Sequence, residues 1–168
     1  MALFQNKQRH RHHVRMIVSV FAERNGSFLF LHERRRTHQA INEPVGHVEP
    51  GESILAAAQR EFFEETGYHV RLRHLVGIYY NIYSRPTVSD SIRFAFLGAV
   101  IEGNERRPTP KKINAFWVKR NELRRFLPRL SHPTTRRALK DLLAGKRLPA
   151  NALTELRFPR QPIRKPTP

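Results

Sequence analysis

Glu61, Glu64 and Glu65 follow one another at i, i+3 and i+4, and that spacing narrows what this chain can be. On a helix these positions share one face, so three carboxylates gather there. Like charges at that spacing repel, which is a cost unless a cation sits among them. The flanks predict the helix itself. Ser53 is an N-cap candidate, Gly67 suits the C′ position after Thr66, and Ala56, Ala57 and Ala58 keep the helix thin for packing on a sheet. Gly46 and Gly51 frame the loop before it, where backbone must turn sharply and approach the cation closely. An all-carboxylate cluster in a chain without cysteine selects a hard, oxygen-loving ion, Mg²⁺ first and Mn²⁺ as its substitute.

The full stretch from Gly46 to Tyr68 reads G-x5-E-x7-R-E-U-x-E-E-x-G-U, where U is a bulky apolar residue. It resembles the box that defines the Nudix hydrolases. That resemblance implies metal-assisted hydrolysis of a phosphate anhydride. It implies that Arg60 orients Glu61 and that Glu52 braces Arg60, so that Glu61, Arg60 and Glu52 form the catalytic set. It implies metal ligation by Glu61, Glu64 and Glu65 together with a main-chain carbonyl at Val45 or Gly46. A carboxylate beside metal and a fixed guanidinium stays ionised and can take a proton from a metal-acidified water. Tyr68 departs from the aliphatic usual at its place, and an aromatic fills the same core slot.

Length and charge bound the rest. At 168 residues the chain suits one domain. The net charge of +17 suggests a nucleic-acid binder until it is divided. Residues 1–15 carry four Lys/Arg and no acid; 16–101 carry nine basic and nine acidic residues; 102–168 carry 18 basic and five acidic ones. The box segment is neutral and the excess lies at the ends, where nonspecific contact with nucleic acid is expected. No apolar run reaches the length of a membrane span, and no apolar signal core follows the basic N-terminus, so the expected place is the cytoplasm.

Strands are expected at 14–21 and 28–32, joined through the Asn25-Gly26 turn, then one or two over 69–83, and further ones at 90–101 and 116–118. Leu123–Leu130 reads as a helical turn interrupted at Pro128, and 134–144 as a helix ended by Gly145. Strands on both sides of a helix, with a second helix at the end, give an α/β class and an α/β/α sandwich on a mixed sheet, which the resemblance also implies. The expected organisation is a basic N-terminal arm at 1–13, a Nudix hydrolase domain at 14–147, and a basic, proline-rich, disordered tail at 148–168. His10, His12 and His13 read as part of the solvated arm, and Arg34–Arg36 as a polar loop.

Substrate-choosing residues are less constrained. Arg93 is a candidate phosphate grip, His47 lies in the box loop, and Tyr79, Tyr80 and Tyr83 offer rings for stacking on a flat base. Glu102 and Asp90 are candidates for an extra carboxylate. The flanking segments at 42–49, 92–96 and 130–149 resemble bacterial members of the family that take a terminal phosphate from nucleoside di- and triphosphates and from pyrophosphates related to thiamine. The leading expectation is a metal-dependent hydrolase of small nucleoside di/triphosphates or related organic pyrophosphates, releasing orthophosphate. The alternatives are an RNA 5′-pyrophosphohydrolase and a non-catalytic Nudix-like module that senses nucleotides or binds DNA. The basic C-terminal region motivates the first alternative, although single-strand binders interleave aromatics with their cations. The second would be expected to lack box glutamates, and all four are present.

Overall fold

The computed structural model describes residues 13–34, 39–84, 88–103 and 114–156. His10, His12, the loop at 35–36 and the tail beyond 156 lie outside them.

The alternating apolar pattern of the N-terminal third produces β1 (Arg15–Arg24) and β2 (Ser27–Arg34), turned at Asn25 and Gly26, both with positive φ. Short strands β3 (Gln39–Asn42) and β4 (Val45–His47) lead into α1 (Ile54–Thr66). The long strands β5 (Tyr68–Asn81) and β6 (Ser91–Gly103) follow, then β7 (Asn114–Lys119). The polypeptide continues through α2 (Leu123–Phe126), a 3-10 turn at Leu127–Arg129 that contains Pro128, and α3 (Pro133–Leu143). With β8 (Leu148–Pro149) after α3, the strands form one mixed sheet ordered β3-β2-β1-β6-β5-β8, with β4 beside β1 and β7 beside β2. Among the described residues only β1 and β6 run parallel.

Side-chain alternation divides the sheet into two apolar faces. Val18, Val20, Ala22, Phe94 and Phe96 meet Ala57, Ala58 and Phe62 of α1. Phe21, Phe30, Ala95 and Leu97 meet Leu123 and Phe126 of α2 and Ala138, Leu139 and Leu142 of α3. The expected sandwich is therefore present, α1 on one face and α2 with α3 on the other. Of the alanine triplet only Ala57 and Ala58 are buried; Ala56 is exposed. Tyr68 fills its core slot, edge-on to Trp117, with Arg24 over both rings.

The C-terminal boundary needs correction. Leu148–Pro149 forms β8 on the outer edge of β5, where it pairs with His74 and Leu75. Leu153 packs against the α1-side core, and Glu155 accepts a hydrogen bond from the Ile54 amide. Residues 148–156 are thus part of the fold rather than a disordered tail. The composition there is proline-rich and aperiodic, and only the unpaired edge of β5 gives it a place to attach. Among the described residues no helix is long and apolar enough to cross a membrane.

Candidate active site

α1 starts and stops where local chemistry dictates. The Ser53 hydroxyl accepts from the Ala56 amide, and Gly67 takes φ 73° and closes the last turn on the Phe63 carbonyl. That frame fixes the phase of the helix, so Glu61 and Glu65 face the sheet, buried, while Glu64 stays exposed.

Arg60 ties the box together. Its Nε and Nη2 donate to the two oxygens of Glu52 at 2.8 and 2.9 Å, and its Nη1 reaches Glu61 Oε1 at 2.9 Å and Glu64 Oε2 at 3.3 Å. A further bond runs from Nη2 to the His47 carbonyl at 3.0 Å, clamping helix to loop. The hydrogen bonds to Arg60 hold the Glu52 carboxyl below the usual range, and Glu52, then Glu61, push the guanidinium's own value further up. Both groups are therefore charged at neutral pH.

Gly46 is required by Glu61. A Cβ at position 46 would fall 1.9 Å from the Glu61 carboxyl carbon, so only glycine lets that carboxylate lie against β4. Glu65 Oε2 accepts from the Val45 amide at 2.9 Å, which binds the same strand one residue earlier. Glu61 Oε2 is buried and has no hydrogen-bond partner among the described residues. A buried, unpaired carboxylate oxygen is costly, and a cation is the partner that would satisfy it. The donor set of Glu61, Glu64, Glu65 and the β4 backbone is all oxygen, which fits a hard divalent ion. No group of three acidic or imidazole side chains among the described residues is arranged to hold an ion. An ion here would thus complete its shell with water and substrate oxygens, as Mg²⁺ usually does.

The other candidates separate. Arg93 projects to the opposite face, where its Nη1 donates to Glu43 Oε1 at 3.2 Å and Thr135 Oγ1 at 3.0 Å. It is 5% exposed and Glu43 is 0% exposed, so its guanidinium is engaged in the interior rather than displayed in a cleft. Burial pushes the Glu43 carboxyl up, against the pull of Arg93 and Thr135. Tyr79 also faces α3, and its hydroxyl donates to Asp141 Oδ2 at 3.1 Å. Asp141 in turn accepts from Arg137 and Lys146. A cavity of about 560 Å³ lies beside this cluster, lined by Tyr79, Asn81, Thr134 and Arg137 among others. Tyr83 donates its amide to Asp90 Oδ1 at 2.8 Å, and Tyr80 its hydroxyl to Asp90 Oδ2 at 2.7 Å. Asp90 is therefore committed to shaping the β5–β6 connection. Glu102 pairs with His69 at the far end of β6, eight residues beyond Phe94, which shares a row with Val18 and Gly46. The His47 side chain is exposed, and its carbonyl makes the contact with Arg60.

Glu43 was missed by reading the sequence. Its partner lies 50 residues away, and nothing local distinguishes it from a loop carboxylate. The Arg137–Asp141 pair carried a legible signal, opposite charges at i, i+4.

Comparison with known proteins makes the protein with this arginine-braced glutamate over a glycine a hydrolase acting on phosphorus anhydrides. The NUDIX domain profile matches residues 10–142, and the chain belongs to that family. Enzymes of the family generally use divalent metal ions. Curated relatives called phosphatase NudJ, from Shigella boydii and from Escherichia coli K12, are 27% identical over 88% of this chain and 94% of their own length. Among solved structures, a NUDIX hydrolase from Nitrosomonas europaea is 32% identical with a TM-score of 0.75, covering 86% of this chain and 98% of its own. A MutT protein from Bacillus halodurans is 27% identical with a TM-score of 0.65, over 80% and 86%.

Proposed function

We propose that this enzyme removes a terminal phosphate from small nucleoside di- or triphosphates or related organic pyrophosphates, thiamine pyrophosphate among them, releasing orthophosphate with Mg²⁺ or Mn²⁺ as cofactor. The cytoplasm is the proposed place, and a small phosphorylated molecule the proposed partner. The observation that carries the reading is the free Glu61 Oε2, buried over Gly46 while Arg60 holds the other oxygen. The relatives' name of phosphatase supports the choice of orthophosphate as product.

Glu61, Glu64, Glu65 and a carbonyl of Val45 or Gly46 would supply the donors. No three of the carboxylates among the described residues converge on a single ion, so water and substrate oxygens would complete each shell. When bound, the ion supplies charge neutralisation for the phosphates and acidifies water. Arg60, fixed by two bonds to Glu52, holds Glu61 in position through its Nη1, so the carboxylate can accept a proton without reorganising. Gly46 removes the side chain that would exclude it.

The test is a phosphate-release screen over nucleotides, nucleotide sugars and thiamine-related pyrophosphates with Mg²⁺, products identified by chromatography. Orthophosphate from a nucleoside di- or triphosphate is expected, and turnover that persists in EDTA would overturn the metal-carboxylate mechanism. Triphosphorylated RNA belongs in the same screen across a salt series. Clear preference for RNA that collapses with salt would replace the small-molecule reading.

A further inference from the structure

On the α1 face, the catalytic helix covers only part of the apolar sheet. Met16, Ile92 and Tyr80 are direct cross-strand neighbours on β1, β6 and β5. Alternation puts them on the same face as the next row, Val18, Phe94 and Ile78. Val18 is 0% and Phe94 8% exposed, whereas Met16 is 44%, Tyr80 53% and Ile78 55% exposed. Ile92 and Val48 pack against the α1-side core. The core surface therefore runs out from beneath α1 and continues into the open as an apolar platform. Contiguous exposed apolar surface of this kind marks a binding site.

Its position indicates the occupant. The Val48 amide donates to the Met16 carbonyl at 3.1 Å, so the box loop begins directly beside the platform. The row inward of Met16, two residues along β1, is Val18, whose partner Gly46 carries the Glu61 carboxylate against it. Two strand residues span about 6.6 Å, a distance that a diphosphate bridges. The Tyr80 ring is also held in place, its hydroxyl bound to Asp90 at 2.7 Å. A thioether and a fixed ring favour flat π-systems over saturated sugars.

We propose that Met16, Ile92 and Tyr80 form the specificity platform on which a flat aromatic group of the substrate rests while its phosphates engage the box. This deepens the hydrolase reading above and rests on it. Tyr79, turned to the other face and bound to Asp141, has no part in the platform.

The experiment compares wild type, Tyr80→Ser, Met16→Ser and Tyr80→Phe on a nucleoside triphosphate and on inorganic tripolyphosphate with Mg²⁺. Calorimetry adds the affinity for a non-hydrolysable nucleoside triphosphate analogue. In Tyr80→Ser, KM for the nucleotide rises about tenfold, within the range of base–aromatic stacking, and analogue affinity falls to match. kcat and turnover of tripolyphosphate stay within about twofold of wild type, and Tyr80→Phe, which keeps the ring but loses its bond to Asp90, raises nucleotide KM by less than Tyr80→Ser. Met16→Ser moves in the same direction by less. Unchanged nucleotide KM and analogue affinity in Tyr80→Ser would overturn the proposal, as would an equal loss on tripolyphosphate. A wild-type dimer that Tyr80→Ser dissociates with nucleotide KM unchanged would also overturn it, giving the platform to a second copy. Failure of the hydrolase reading shows separately, as no turnover of either substrate by wild type, and the calorimetric arm then still decides the platform.

Discussion

Each face of the sheet carries an arginine–glutamate constellation, and the two differ in what burial allows them to do. On the α1 face, Arg60 holds Glu52, Glu61 and Glu64 at a partly open site, with side-chain exposures of 26% for Arg60 and 11% for Glu61. On the α3 face, Arg93 and Glu43 meet at 6% and 0% exposure and join β6 to the segment entering the box. The charges around them are also opposed. α1 carries three glutamates and one arginine, whereas residues 119–147 carry ten Lys/Arg and two acids. The same ion pair is thus open to solvent on one face, where the proposed role is chemistry, and shut into the interior on the other, where it serves cohesion. The basic helices also lie across the sheet from the box, so their charge does not converge on its carboxylates.

The largest expected difference is in stability. Removing one partner of a buried pair strands the other charge, so Arg93→Met should cost about 3–5 kcal/mol in urea unfolding. The double variant Arg93→Met, Glu43→Leu should recover much of that loss. No recovery would mean that the α3-face pair does more than balance charge, and the contrast between the faces would weaken.

On the other face the loss should fall on activity. Glu61→Gln keeps shape and removes charge, so kcat should drop about 10²-fold or more with little change in Tm. A variant as active as wild type would remove Glu61 from the mechanism.

Asp141 sharpens the comparison through pH. Burial pushes its carboxyl up, but Lys146, Arg137 and Tyr79 outweigh burial and hold it below the ordinary 3.8. A carboxylate with a lowered folded value stabilises above its unfolded value and loses that contribution as pH falls through the folded one. Asp141→Asn should therefore cost about 1.5–3 kcal/mol at pH 7, the scale of hydrogen bonds to charged groups. The deficit should fade progressively below pH 3.8, read by urea titrations across that range. A pH-independent deficit would assign the loss to packing.

The smallest effect compares the caps. Ser53 caps α1 through its hydroxyl, and His132 caps α3 through Nδ1 at 3.2 Å. Ser53→Ala should cost about 1 kcal/mol, and because that cap sets the phase of the catalytic helix, kcat should fall a few-fold as well. His132→Ala should lower Tm without changing kcat. Equal kinetic effects would show that the two helices are not separable.

Local rules made the box legible. Ser53, Gly67 and the i, i+3, i+4 glutamates obey helix periodicity and capping, and the family resemblance implied Arg60 between Glu52 and Glu61, both of which it contacts in the structure. The sandwich followed from alternating strands around one helix. What the sequence left open were matters of facing and distance. Strand alternation requires Tyr79 and Tyr80 to point apart, but it does not say which one meets Asp141 and which lies beside the box. Arg93 reads as a phosphate grip until β6 pairs with β1 and turns it toward Glu43 and Thr135. The 148–156 segment has no periodicity of its own and takes its structure from the open edge of β5. Sequence by itself determined the elements and the Nudix box, because those depend on neighbours a few residues apart. Tertiary structure alone decided which charges are buried and which apolar surface stays open, because both depend on contacts between residues far apart in the chain.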